Sequence, residues 1–174
     1  MKKKTRKTLM STGDDEGTVE WGTPPKLFSA LHKEFRFTLD PCASADNAKC
    51  GLYFTKEDDG LSKSWKGFTV FENYPYGRGG GVWVEKAYSE SQEHGITVVV
   101  LMPVRTCTKW WHDYVMKADE VRLFKGRLRF IDYDKKVGGV YAERDAATFP
   151  SALAVFRPHK GDTRFCSIKA ADYR

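Results

Sequence analysis

No stretch of this chain is apolar for long enough to span a bilayer, and the N-terminus lacks the apolar core of a signal peptide. Both absences predict a soluble, cytoplasmic protein. No G-x-G-x-x-G run follows an apolar strand-like segment, which argues against binding of an NAD-type dinucleotide. Four cysteines (Cys42, Cys50, Cys107, Cys166) form no close pair and the histidines are scattered, so free thiols in a reducing compartment are expected rather than a zinc site. The three carboxylates of Glu57-Asp58-Asp59 lack the alternating oxygen-ligand spacing of a calcium loop, and no metal is expected there. Internal repeats are absent. What remains is a 174-residue chain with 41% hydrophobic and 14% aromatic content, enough for one folded domain with a real core.

Charge is unevenly placed. Residues 1–103 carry 14 Lys/Arg against 14 Asp/Glu, whereas residues 104–174 carry 15 against 9, so the whole net charge of +6 lies in the C-terminal part. It is densest around Arg122, Lys125, Arg127, Arg129, Lys135 and Lys136. A basic face beside a reaction site suits a polyanion, because neutralising phosphates releases counterions.

Residues 1–20 read as a flexible tail, basic and then acidic, with almost nothing to bury. The domain is expected over residues 21–174. Thr23 suits a helix N-cap and Pro24 the first helical position, and Leu27, Phe28, Leu31 and Phe35 recur at helical spacing. Phe37-Thr38-Leu39-Asp40 reads as a strand ending on an acid, followed by the small residues of Pro41-Cys42-Ala43-Ser44. A second strand, residues 68–71, leads into Asn73-Tyr74-Pro75-Tyr76. Arg78 and three glycines then form a hinge or close-approach loop before a helix over residues 82–93 that Gly95 caps. The unbroken apolar run from Ile96 to Met102 predicts a strand buried on both faces. Residues 108–116 read as a helix, and residues 120–124, 128–131 and 152–156 as strands. Residues 132–149 show little periodicity and read as a long loop of functional importance. The alternation predicts an α/β fold with a mainly parallel sheet and an antiparallel C-terminal edge.

The run at 73–76 resembles the Asn/Asp-Pro-Pro-Tyr motif of enzymes that methylate exocyclic amines, with Tyr74 in place of the first proline. With Trp21-Gly22-Thr23-Pro24, Leu39-Asp40-Pro41-Cys42-Ala43-Ser44, Asn47-Ala48-Lys49-Cys50, Asp58-Asp59-Gly60-Leu61, Trp110-Trp111, Gly126-Arg127-Leu128-Arg129-Phe130 and Pro150-Ser151-Ala152-Leu153, it makes the chain similar to the phage-type DNA N6-adenine methyltransferase family. The resemblance covers roughly residues 21–156. It implies a Rossmann-like class I methyltransferase fold that uses S-adenosylmethionine and acts on DNA in a bacterial host cell, with no membrane and no obligate protein partner. It further implies that Asp40, Pro41, Ala43 and Ser44, together with Thr23 and Pro24, hold the cofactor's methionine part, that Trp21 belongs to the cofactor site, and that Asp58 or Asp59 lies near the adenosine. Arg78, Arg105, Lys125, Arg127, Arg129, Lys135 and Lys136 would meet DNA.

The chemistry explains why such a motif needs these residue types. Adenine N6 is a poor nucleophile because its lone pair is delocalised into the ring. Two acceptors holding both N–H bonds, Asn73 Oδ1 and the backbone carbonyl of Tyr74, favour a pyramidal nitrogen. A backbone acceptor does not require proline. Pro75 stiffens the turn, and Tyr76 offers a stacking face to a flipped-out base, worth about 1–3 kcal/mol. Positioning two bound reactants supplies roughly 7–11 kcal/mol more. The same logic serves cytosine N4 or a glutamine amide, and a catalytically inactive DNA-binding protein of the same fold is the alternative of a different class.

Overall fold

The computed structural model describes residues 21–138, 140–158 and 161–173, without the side chains of residues 134–136. The tail expected over residues 1–20 and the Lys135 and Lys136 side chains lie outside the described residues.

Helical spacing of apolar residues produces α1 (Pro25–Phe35), which buries Leu27 and Leu31. Its N-cap is Pro24 rather than Thr23, and no side chain caps it. The Thr23 hydroxyl has another use, described below. Helix α2 (Gly80–His94) begins two residues before the expected Val82 and ends as predicted at Gly95, which adopts φ 66° and donates its N–H to the Ser91 carbonyl. The expected helix near residue 110 is short, α3 (Lys109–Asp113), followed by a 3₁₀ turn at Val115–Lys117.

Seven strands form the main sheet: β1 (Leu39–Asp40), β2 (Leu52–Tyr53), β3 (Val70–Glu72), β4 (Val98–Pro103), β5 (Glu120–Lys125), β8 (Ser151–Phe156) and β9 (Arg164–Lys169). Their order is β2-β1-β3-β4-β8-β5-β9. The sheet is mainly parallel, as the sequence predicts, and its antiparallel strand β8 is inserted between β4 and β5, with β9 parallel to β5 at the edge. Every residue of β4 and β8 is buried because each has a strand on both sides and a packed layer on both faces.

Alternate residues of β4 divide the core. Val98, Val100 and Met102 pack with Val84 and Ala87 of α2 and with Trp111, whereas Val99 and Leu101 pack with Leu27 and Leu31 of α1 and with Phe124 and Phe130. Each such fully buried aliphatic side chain contributes roughly 1.5–3 kcal/mol. Among the described residues no helix is long and apolar enough to cross a membrane.

The segment read as a long loop is instead a hairpin. Strands β6 (Arg129–Val137) and β7 (Val140–Ala146) form a separate antiparallel two-stranded sheet, with Gly138 at φ 60° in the turn. A Gly-Gly pair between two valines is the turn signal that sequence reading passed over. Two register shifts, between Arg129 and Ile131 and between Asp132 and Lys136, erase the strand period.

Candidate active site

Strands β1, β3 and β4 run parallel, so the loops leaving Asp40, Glu72 and Pro103 meet along one edge of the sheet. Ligands of open α/β sheets bind at that edge. A pocket lies there, and six residues expected from the sequence line it: Trp21, Thr23, Asp40, Asn73, Tyr74 and Pro75. Gly22, Cys42, Asn47 and Lys49 complete the lining.

Asn73 is the best-fixed of these groups. Its amide nitrogen donates to the Trp21 carbonyl at 2.5 Å and to Thr23 Oγ1 at 3.0 Å. A carbonyl can only accept, so the nitrogen must face Trp21 and Oδ1 must face the other way. Oδ1 there receives the Tyr76 hydroxyl at 2.7 Å and keeps a second lone pair. The Tyr76 hydroxyl also lies 3.1 Å from the Leu101 carbonyl, and its single hydrogen serves one acceptor at a time. Burial holds the Tyr76 phenol well above its ordinary pKa. Its ring meets Tyr74, Phe130 and Phe149 edge-on, at centroid distances of 5.3, 6.1 and 5.6 Å.

Tyr74, the residue that departs from the motif, is 2% exposed and belongs to the core beside α2. Gly80 makes room for it, since a Cβ at Gly80 would lie 2.7 Å from the Tyr74 ring. Gly81 does the same for Trp110, at 2.8 Å. The glycines read as a hinge therefore include the first residues of α2, chosen by packing. Among the described residues no backbone N–H takes the Tyr74 carbonyl. The bulky ring is thus turned into the core while the carbonyl remains an acceptor.

Two buried acids stand beside the motif. Asp40 is 4% exposed, accepts the Lys49 backbone N–H at 3.1 Å, and is pushed up to about 6 by burial. Glu72 is fully buried with neither oxygen hydrogen-bonded among the described residues; burial, then the neighbouring Asp40, raises its pKa well above the carboxylate range. Burial likewise raises the Cys42 thiol.

Other expected cofactor residues shape loops without lining the pocket. Pro24 heads α1, and Ala43 donates its N–H to Phe54 at 2.9 Å. Ser44 receives the N–H groups of Asn47 and Ala48 on its carbonyl and gives its own to Asn47 Oδ1 at 2.7 Å. Pro41 is covered by Gly60, where a Cβ would stand 1.9 Å from the Pro41 carbonyl oxygen. Asp58 is exposed and binds Thr55 through its backbone N–H and hydroxyl, both at 2.8 Å, which lowers its pKa. Asp59, at φ 53°, is exposed as well.

Of the expected DNA contacts, Arg78, Arg105, Lys125 and Arg127 are exposed and follow or end β3, β4 and β5 on the pocket's side of the sheet. Arg129 lies 3.6 Å from Glu143 across the hairpin. Arg122, in the same basic stretch, is held by Glu34 and Glu120.

The hairpin touches the pocket directly. Gly22 and Ile131 exchange backbone hydrogen bonds of 3.0 and 2.7 Å. Trp21 packs edge-on against Phe130 and Phe149, at 5.4 and 5.2 Å, with the Arg144 guanidinium 5.2 Å from its own ring. Lys49 Nζ donates to the Tyr133 hydroxyl at 2.9 Å. Sequence reading missed Lys49 as a pocket residue because its partners lie far away in the chain; its place in the Asn47-Ala48-Lys49-Cys50 landmark was the available signal.

Comparison with known proteins identifies the family. The sequence model of the family described as DNA N-6-adenine-methyltransferase (Dam) matches residues 10–173. The DNA N-6-adenine-methyltransferase of Haemophilus phage HP1 (strain HP1c1) is 33% identical over 141 residues, covering 79% of this chain and 78% of that protein. A second protein of that name, from Escherichia phage T1, is 30% identical over 103 residues, or 58% of this chain and 42% of the relative. With a mainly parallel α/β sheet and a match to that family along nearly its whole length, this chain belongs to the DNA N-6-adenine-methyltransferase (Dam) family and is an enzyme that methylates adenine in DNA.

Proposed function

We propose that the methyl donor is S-adenosylmethionine and that the target adenine leaves the duplex to enter the pocket beside Asn73. S-adenosylmethionine supplies an electrophilic methyl group carried on a sulfonium. The pocket suits its amino-acid end, because one carboxylate, Asp40, one cation, Lys49, and the polar groups of Thr23 and Asn47 line the same space.

The observation that carries the proposal is the fixed orientation of Asn73. With its nitrogen tied to Trp21 and Thr23, its Oδ1 is a pre-oriented acceptor and needs no reorganisation when the base arrives. Asn73 Oδ1 takes one N6–H bond and the Tyr74 carbonyl takes the other, localising the lone pair on nitrogen. When Tyr76 turns its hydrogen toward Leu101, both lone pairs of Oδ1 become available. The Tyr76 ring forms one wall for the base, and Phe149 and Trp21 stand next to it. Arg78, Arg105, Lys125 and Arg127 bind phosphates along the rim, and the β6–β7 hairpin with Arg129 lies against the duplex. Base flipping, the donor's identity and each residue role are parts of this proposal.

The test is incubation with labelled S-adenosylmethionine and unmethylated DNA, followed by nucleoside analysis by mass spectrometry. Label in N6-methyladenine is the expected result. Label in N4-methylcytosine, or none with active relatives as controls, would overturn the assignment.

A further inference from the structure

The pocket has a feature that the resemblance did not assign: among the described residues its lining contains a single cation, and that cation is held from outside the main sheet. Lys49 lines the pocket together with Asp40, the only lining carboxylate among the described residues. The two are joined by the hydrogen bond from the Lys49 N–H to Asp40 Oδ2 at 3.1 Å, which closes one loop after β1. The Lys49 ammonium projects to Tyr133 of β6, whose hydroxyl accepts at 2.9 Å, with the ring centroid 5.7 Å from Nζ. That phenol takes one of three ammonium donors, leaving the others directed elsewhere.

Tyr133 meets the pocket-lining residues Lys49 and Gly22 where β6 departs from regular pairing. The register shifts between Asp132 and Lys136, so the residues in between have no regular partners on β7. Bulges of this kind re-aim side chains beside active sites. The ring then packs over Gly22, where a Cβ would lie 2.1 Å from it. Only glycine lets the hairpin lie this close.

An α-amino acid end is a zwitterion. Asp40 complements its ammonium group, and the group that complements its carboxylate must be a cation or a cluster of N–H donors on the same wall. We propose that Lys49 binds the carboxylate of the methyl donor's amino-acid end, and that Tyr133 of the hairpin is the residue that positions it. The assignment rests on reading this pocket as the donor site.

Calorimetric titration of the full chain with two ligands tests it. S-adenosylhomocysteine carries the amino-acid end; 5′-deoxy-5′-methylthioadenosine has the same nucleoside and thioether without it. Lys49→Gln is expected to weaken S-adenosylhomocysteine by about tenfold or more, the loss of one charge-assisted hydrogen bond, and to leave methylthioadenosine binding unchanged. Lys49→Arg should retain most of the affinity. Tyr133→Phe should cause a smaller loss, again confined to the ligand with the carboxylate. Equal weakening of both ligands, or of neither, would overturn the proposal. Failure of the unaltered chain to bind S-adenosylhomocysteine would instead overturn the donor-site reading beneath it.

Discussion

Asn73 and Tyr133 reach the lining of one pocket from supports of different kinds. Asn73 extends from β3, whose three residues are all buried and which lies between β1 and β4, and its amide is held by Trp21 and Thr23. Tyr133 extends from a two-stranded sheet with two register shifts, whose exposed residues include Val137 and Val140 near the turn. A lone two-stranded sheet has marginal stability, so this hairpin depends on what it touches. Phe130 is buried in the core at its base, and the Gly22–Ile131 bridge ties its side to the N-terminal segment. On the active-site reading proposed above, the chemistry stands on the stiff support, where a small displacement is costly. On the same reading, adaptation to the duplex falls to the hairpin.

Breaking the stiff side should have the largest effect. Asn73→Ala removes the oriented acceptor and is expected to lower methyl transfer by about 10²–10³-fold, measured as label incorporated into DNA. Transfer at the unaltered rate would place the chemistry elsewhere.

The joint between the two supports comes next. Gly22→Ala places a methyl group 2.1 Å from the Tyr133 ring and 2.9 Å from the Ile131 carbonyl oxygen. Overpacking of this kind costs about 1–3 kcal/mol and should appear in a thermal or chemical melt, with faster hydrogen exchange in the hairpin than in β4. Gly51→Ala, with nothing within 4 Å, is the control and should stay within about 0.5 kcal/mol. Equal stability of the two variants would show that the hairpin is not seated on Gly22.

Acid should loosen the pocket. Asp40 has its pKa raised to about 6 by burial, so protonation as pH falls through that value removes the carboxylate that faces a donor's ammonium group. Affinity for S-adenosylhomocysteine should be about tenfold lower at pH 5 than at pH 7, by calorimetry. The sign for stability is opposite. A raised folded-state pKa means that the contribution of Asp40 is present below its ordinary value of 3.8 and is lost as pH rises through about 6. Affinity that is flat from pH 5 to 7 would remove Asp40 from ligand binding.

The smallest effect distinguishes cations at the rim from cations in the scaffold. Arg127→Ala should weaken binding to all DNA sequences alike and reduce the slope of log affinity against log salt by about 1. Arg122→Ala should leave that slope unchanged, because Arg122 is held by Glu34 and Glu120. Equal slopes for the two variants would undo the distinction.

Much of the stiff side was legible in the sequence because its signals are local. The apolar run of β4, the glycine that ends α2 and the turn at 73–76 each declare themselves within a few residues. Hydrogen-bond partners did not. Thr23 has the chemistry of an N-cap, but its hydroxyl receives Asn73 instead, a competition between partners 50 residues apart. Gly80 and Gly81 looked mobile because the rings that require them, Tyr74 and Trp110, approach through tertiary packing. The hairpin was hidden for another reason. Its register shifts break the alternation that marks a strand, and its charges pair across it, as Arg144 does with Asp132 at 2.9 Å, rather than forming a polar face and an apolar one. Net charge also overstated the DNA-facing surface, since Arg122, Arg157 and Arg164 have acidic neighbours within the fold.

The bridge at Gly22 has a thermodynamic consequence. It is the place where the β6–β7 hairpin and the wall of the pocket share hydrogen bonds. Any free energy by which a ligand in the pocket steadies the hairpin must return, in equal amount, as tighter ligand binding once DNA holds the hairpin in place. On the proposed placement of DNA against the hairpin, affinities for DNA and for the small ligand are one coupled quantity, and each is defined only with the occupancy of the other stated.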